Sequence, residues 1–298
     1  MPGHRLLATL VPLALVVGAC GDDDGANVRN DASGSGSASG IASEVEGSTS
    51  DNPLVGDAVV AYTAYVDEQV DATIAATTTF TDAVRAGDVE AAKAAYAPSR
   101  QGWERIEPIA GLVEEIDGKV DARVDDFENE QDPEFTGWHR LEYILFSQNT
   151  TDGAAPFADQ LDADLQTLDT ELADIEIPPA ALAVGSSELI EEVSTGKITG
   201  EEDRYSGTDL WDFAANVEGS QEAFTLLTPA IQEEDPDLVT EIEGQFAELG
   251  TQLGEYADGA GGYQPYSALT EDDKAAMQTT LAALSENLAT VAGVLGLE

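Results

Sequence analysis

Residues 55–86 read VGDAVVAYTAYVDEQVDATIAATTTFTDAVRA, and their spacing decides the fold class. Val59, Tyr62, Val66, Val70 and Ile74 recur at helical intervals, which puts apolar groups along one side of a helix. Gly87 suits a helix C-cap and Asp88 a fresh N-cap. The same punctuation continues down the chain. A short helix is predicted to residue 97, broken by Pro98, with Ser99 capping a helix over 103–116 that kinks at Pro108. Residues 119–129 continue helical, and Asp132-Pro133 offers an N-cap and N1 proline for a helix carrying Trp138 and Phe146. Helices then follow over 156–175 and 180–195, with 196–207 polar and irregular. Three more run from Thr208 or Asp209 to about 227, from Asp235-Pro236 to about 256, and from the capping-box-like Thr270-Glu271-Asp272-Asp273 to 294. No sustained period-two pattern appears. The expectation is an all-α chain of about eight helices, arranged as two packed four-helix bundles.

The N-terminus reads as an export signal. His4 and Arg5 precede a mostly apolar run from Leu6 to Val17, too short for a permanent membrane helix. Val17-Gly18-Ala19-Cys20 has the form of a lipobox, so residues 1–19 are expected to be removed and Cys20 to carry lipid. Cys20 is the only cysteine in 298 residues, which excludes an internal disulfide. Residues 20–52 are rich in Gly, Ser, Ala, Asn and Asp and read as a flexible tether, because they cannot bury enough surface to offset ordering. Residues 53–298 read as the folded helical part. The expected location is extracytoplasmic, anchored to the cell membrane by acyl chains.

Fifty-nine acids face twelve bases, for a net charge of −47. Such a surface repels nucleic acid and anionic lipid and attracts cations. Solubility of a secreted protein accounts for most of this charge, so only particular carboxylates can define a site.

Two segments repeat one pattern, W-x-R-[I/L]-E-x-I: Trp103-Glu104-Arg105-Ile106-Glu107-Pro108-Ile109 and Trp138-His139-Arg140-Leu141-Glu142-Tyr143-Ile144. The repeat suggests an internal duplication. With His4 in the leader, His139 is the only imidazole of the mature chain. Residues three apart share a helix face, so His139 and Glu142 can converge on one ion, and Glu104 and Glu107 can do so from another helix. Bundle proteins build metal centres this way. Asp121 and Asp125 fall four apart on the intervening helix, and either adds an oxygen; Asp209 and Asp212 offer two more carboxylates. One nitrogen among oxygens suits iron (Fe2+ or Fe3+) or manganese better than copper(I), while Zn2+ or Cu2+ are alternatives. Ion pairing with Arg105 and Arg140 is the competing reading of these acids.

Other chemistries fit less well. The order is H-x-x-E rather than H-E-x-x-H, no G-x-S-x-G elbow appears, and no Gly-rich phosphate loop precedes a helix. Trp103, Trp138 and Trp211 read as core anchors.

These motifs, with Asp132-Pro133-Glu134-Phe135-Thr136-Gly137 and the run Gly200-Glu201-Glu202-Asp203-Arg204-Tyr205-Ser206-Gly207-Thr208-Asp209-Leu210-Trp211-Asp212-Phe213, resemble the imelysin-like family. Within it they are most similar to the EfeO/EfeM-type iron-uptake lipoproteins, in the short form without a cupredoxin domain. The resemblance spans residues 52 to 298. It implies an H-x-x-E metal site at His139 and Glu142, with acidic ligands Glu104, Glu107 and Asp121. It implies a ferrous/ferric iron uptake system with a membrane iron permease and a haem peroxidase as partners, and no enzymatic role for this chain. The alternatives are a metal-dependent peptidase of the imelysin type and an acidic-polysaccharide-binding lipoprotein.

Overall fold

A computed structural model describes Val45 and residues 47–297. The expected signal peptide, Cys20 and the tether up to residue 44 lie outside the described residues. Helix α1 (Pro53–Arg85) starts at Asn52, whose side chain accepts from Leu54 N at 2.9 Å, followed by an N1 proline. Its buried stripe runs Val55, Ala58, Tyr62, Val66, Val70, Thr73, Thr77, Phe80 and Val84. The threonines can sit in this stripe because each returns its hydroxyl to a carbonyl: Thr73 to Gln69 O at 2.8 Å, and Thr77 to Ser99 O at 3.2 Å across the helix pair.

Helix α2 (Val89–Ile106) is capped by Asp88, which accepts from Ala91 N at 3.0 Å. It runs straight through Pro98, where the sequence predicts a break. Proline removes one helical hydrogen bond, but Tyr96, Ala97, Ser99 and Arg100 around it are all buried against neighbouring helices. Packing on both sides outweighs that local penalty. The expected 103–116 helix divides at Glu107: Glu107–Val113 tighten into 3-10 turns carrying Pro108, and α3 (Glu114–Val120) resumes.

The largest departure follows. The expected helix over 119–129 ends at Val120, with Asp121 as its C-cap and a single 3-10 turn at Val124–Asp126. Helix α4 (Gly137–Glu142) begins later than Asp132. Asp132 instead accepts from Glu134 N at 3.0 Å in a turn. Gly137 sits at φ 74 with its α-carbon pressed on α3; an added Cβ would lie 2.1 Å from Val120 O. Helix α4 then widens into a π turn at Tyr143–Ser147, a feature that recurs at functional sites.

Helices α5 (Ala155–Asp174), α6 (Pro179–Thr195), α7 (Asp209–Glu234), α8 (Pro236–Gly254), α9 (Glu271–Ala289) and α10 (Val291–Leu295) complete the chain. Helix α7 passes through Pro229, beyond the expected end near 227. The capping box at Thr270 and Asp273 forms as expected, and Asp235 caps α8 through Leu238 N at 3.0 Å. Among the described residues there is no strand, only an isolated bridge between Ala257 and Tyr263, so the fold is all-α. Helix α7 packs against α1, α2, α6 and α8, while α9 lies on α6 and α8. No described helix is long and apolar enough to cross a membrane.

Candidate metal centre

Five parts of the chain meet at one buried polar cluster. Helix α2 presents Tyr96, Arg100 and Glu104 at successive turns. The C-cap of α3 supplies Asp121, and α4 supplies His139 and Glu142. The segment over 196–208 brings Lys197, Glu202 and Asp203, and the first turns of α7 bring Asp209, Asp212 and Asn216.

His139 is 2% exposed, and both of its ring nitrogens face carboxylates. Nε2 lies 3.5 Å from Asp121 Oδ1 and 3.8 Å from Glu202 Oε1. Nδ1 lies 3.3 Å from Glu142 Oε2 and 4.0 Å from Asp203 Oδ1. The sets Asp121–His139–Glu202 and His139–Glu142–Asp203 each bring one ligand atom per residue to within 4.8 Å of the others. Nothing hydrogen-bonds His139 Nε2, Asp209 Oδ2 or Asp212 Oδ1, although all three are buried. Buried polar atoms without partners are costly, and an ion within the Asp121–His139–Glu202 set would satisfy Nε2 once the ring has lost its proton.

Each carboxylate is aimed by a second contact. Glu142 Oε1 accepts from Tyr205 N at 2.8 Å and Ser206 N at 2.7 Å, leaving Oε2 for the imidazole. Asp203 accepts from Tyr96 Oη at 2.8 Å and from Thr208 Oγ1. Trp103 Nε1 donates to Asp121 Oδ2 at 3.0 Å, so that tryptophan is both core anchor and site support. Arg123 holds Glu202 Oε2 at 3.0 Å. Such supporting contacts orient ligands before an ion arrives.

Arg100 is fully buried and links the acids. It donates to Asp212 Oδ2 at 2.9 Å, to Asp121 Oδ1 and to Glu104 Oε1. Burial pushes the Asp121 carboxyl up, but the Arg100 guanidinium and His139 outweigh it and hold Asp121 well below the usual carboxylate range. Burial and Arg100 both push His139 down. Asp121, Glu142 and Glu202 around it prevail, so the ring stays protonated above its ordinary range. Asp209 is pushed up to about 7, chiefly by burial and then by the charge of Asp203.

Of the five sequence-predicted ligands, the structure gathers His139, Glu142 and Asp121. Glu104 and Glu107 turn to a neighbouring cation instead. Lys197 Nζ lies 3.0 Å from Glu104 Oε2 and 2.7 Å from Glu107 Oε2, and Asn216 Nδ2 bonds both carboxylates at 2.9 and 2.7 Å. Asp125 is exposed and pairs with Arg204, away from Asp121, because the helix expected to join them is absent. Asp209 accepts from Asp203 N at 3.1 Å, and Asp212 pairs with Arg100. Sequence reasoning overlooked Glu202 and Asp203 as site residues. Both lie in the Gly200–Phe213 run that carries the family resemblance, and that run was the available signal.

The fold and this donor set define a helical protein built around a buried acidic pocket with one imidazole at its centre. The imelysin family model, of the peptidase M75 group, matches residues 58–291, and the chain belongs to the imelysin family. It is similar to the "Iron uptake system component EfeO" of Escherichia coli O157:H7, 48% identical over 245 residues, covering 82% of this chain and 65% of that protein. The EfeO proteins of Escherichia coli K12 and Shigella flexneri are 47% identical over the same shares. The chain thus spans 65% of the length of these curated relatives. Their names describe uptake components, not enzymes.

Proposed function

We infer that this chain is the iron-binding component of an uptake system, held outside the cytoplasmic membrane by lipid on Cys20, and that it hands iron to a membrane permease working beside a haem peroxidase. The observation that carries this reading is the single buried imidazole with a carboxylate facing each ring nitrogen. The name shared by the EfeO relatives supports the choice of metal and system.

Glu104, Glu107, Asp121, Glu142, Glu202, Asp203, Asp209 and Asp212 gather around Arg100, Arg123 and Lys197. Burial raises Glu107, Asp209 and Asp212 and holds them toward their neutral forms. A multivalent cation among these oxygens favours the ionised forms instead. Oxygen donors with one nitrogen match Fe2+ or Fe3+. His139, Asp121 and Glu202, or His139, Glu142 and Asp203, supply the donors, and the proton on His139 leaves to solvent as the ion enters. Binding of this kind is reversible by acid or by a competing acceptor, as cargo transfer requires.

The peptidase alternative needs a free general base. Glu104 and Glu107 are both held by Lys197 and Asn216, which weakens that reading. Calorimetric titration of Fe2+, Fe3+, Zn2+ and Cu2+ into the wild-type chain and a His139→Ala, Glu142→Ala variant tests the site. Iron binding that survives the double substitution removes the assignment.

A further inference from the structure

The segment over 196–208 holds one 3-10 turn, Lys197–Thr199, and is otherwise irregular, yet it carries Glu202 and Asp203, and its Tyr205 and Ser206 amides hold Glu142. Within the site it is held by Lys197 on Glu104 and Glu107, by Arg123 on Glu202 and by Tyr96 on Asp203; a further hold comes from outside. Tyr266, in the connection between α8 and α9, touches it at three points. Its hydroxyl donates to Ile198 O at 2.9 Å, and its own N donates to Gly207 O at 2.9 Å. Its ring covers Gly200, where an added Cβ would lie 2.2 Å from Cε1. Gly200 and Gly207 both take left-handed conformations, at φ 82 and φ 71. One residue therefore pins both ends of the segment, and only glycine at 200 lets the ring approach so closely. Lys274 Nζ sits 4.7 Å from the centre of the same ring and fixes its tilt from α9.

We propose that Tyr266 is a positioning residue of the metal centre: it clasps the 196–208 segment and thereby sets how long a bound ion is retained. Loss of the clasp lets Tyr205 and Ser206 withdraw from Glu142, and Glu202 and Asp203 leave the imidazole with them. The ion then departs faster, although Tyr266 touches no ligand. The retention half of this inference rests on the metal-binding reading above; the positioning half does not.

Tyr266→Phe removes one hydrogen bond and keeps the ring on Gly200. Two measurements test it: hydrogen exchange of individual amides in the metal-free chain, and release of bound Fe2+ to excess chelator under anaerobic conditions. Exchange at Tyr205 and Ser206 and the rate of Fe2+ release should each rise about fivefold, the factor corresponding to one neutral hydrogen bond. Amides within α7 should keep wild-type exchange, which separates a local clasp from general destabilisation. Tyr266→Leu should act in the same direction and more strongly, since the ring's cover is lost as well. Wild-type exchange at those two amides in both variants overturns the proposal, as does faster exchange with unchanged release. A wild-type chain that retains no Fe2+ overturns the retention half together with the metal-binding reading, and the exchange measurement then decides the positioning half alone.

Discussion

Replacing Arg100 by methionine removes the cation that five acids surround, Asp203 at 3.8 Å among them, while keeping most of the buried stem. The guanidinium is fully buried and pairs with Asp121, Glu104 and Asp212, with Glu202 at 3.5 Å. Removing one partner from a buried charge pair costs about 3–5 kcal/mol, because the charges left behind are neither solvated nor neutralised. At roughly 2–4 °C per kcal/mol for a domain of this size, the melting temperature of Arg100→Met should fall by roughly 6–20 °C at pH 7. The pH dependence has a definite sign. In the wild type, Asp121 is held well below the usual range despite its burial, so it contributes stability above its unfolded pKa, lost as pH falls through its folded one. Without Arg100 its pKa rises, and it costs stability as pH rises. The gap between variant and wild type should therefore be widest at neutral pH and close towards pH 4. Thermal unfolding followed by circular dichroism across pH 4–8 measures this. A variant with wild-type stability at pH 7, or a gap that widens on acidification, would refute the view that Arg100 neutralises this pocket.

Four further outcomes are expected. Because His139 stays protonated above its ordinary range, binding an ion should release about one proton and weaken about tenfold per unit fall in pH; titration in buffers of different ionisation enthalpy counts that proton, and a count of zero contradicts the ring as ligand. Asp209, raised by burial to about 7 from 3.8, holds its proton in the folded state where the unfolded chain has lost it, so it erodes stability as pH climbs through that window. Asp209→Asn should then gain about 1–2 kcal/mol at pH 8 in urea unfolding and nothing near pH 4. Gly219→Ala would set a Cβ 1.9 Å from Arg105 O and force α7 away from α2, costing about 3 kcal/mol. Gly250→Ala, with nothing within 4 Å, should gain about 0.5–1 kcal/mol by the same denaturant assay.

The helices were legible wherever the signal was local. The apolar stripe of α1, the Asp88 cap, the Asp235-Pro236 start and the Thr270 capping box depend on residues within a turn or two, and they appear where the spacing put them. Reading failed where packing opposed a local rule. Pro98 and Pro229 lie inside helices because buried neighbours on both sides hold the backbone. The stretch after Val120 carries helix-compatible residues, yet Gly137 must lie on Val120 O, and the chain turns instead.

The same division runs through the site. The sequence by itself determined that His139 and Glu142 share one face, because residues three apart on a helix are neighbours whatever surrounds them. It also set the excess of acids over bases from which the cluster is drawn. Only the tertiary structure decided which other acids join them. Glu202 and Asp203 reach the imidazole from a segment with no periodicity to read, clasped in place by a tyrosine sixty-odd residues further on. Glu104 and Glu107 have spacing as good as that of His139 and Glu142, but Lys197 reaches them first. In a chain so rich in carboxylates, spacing nominates many ligands. The scarce cations choose among them, and which cation meets which acid depends on how the helices pack.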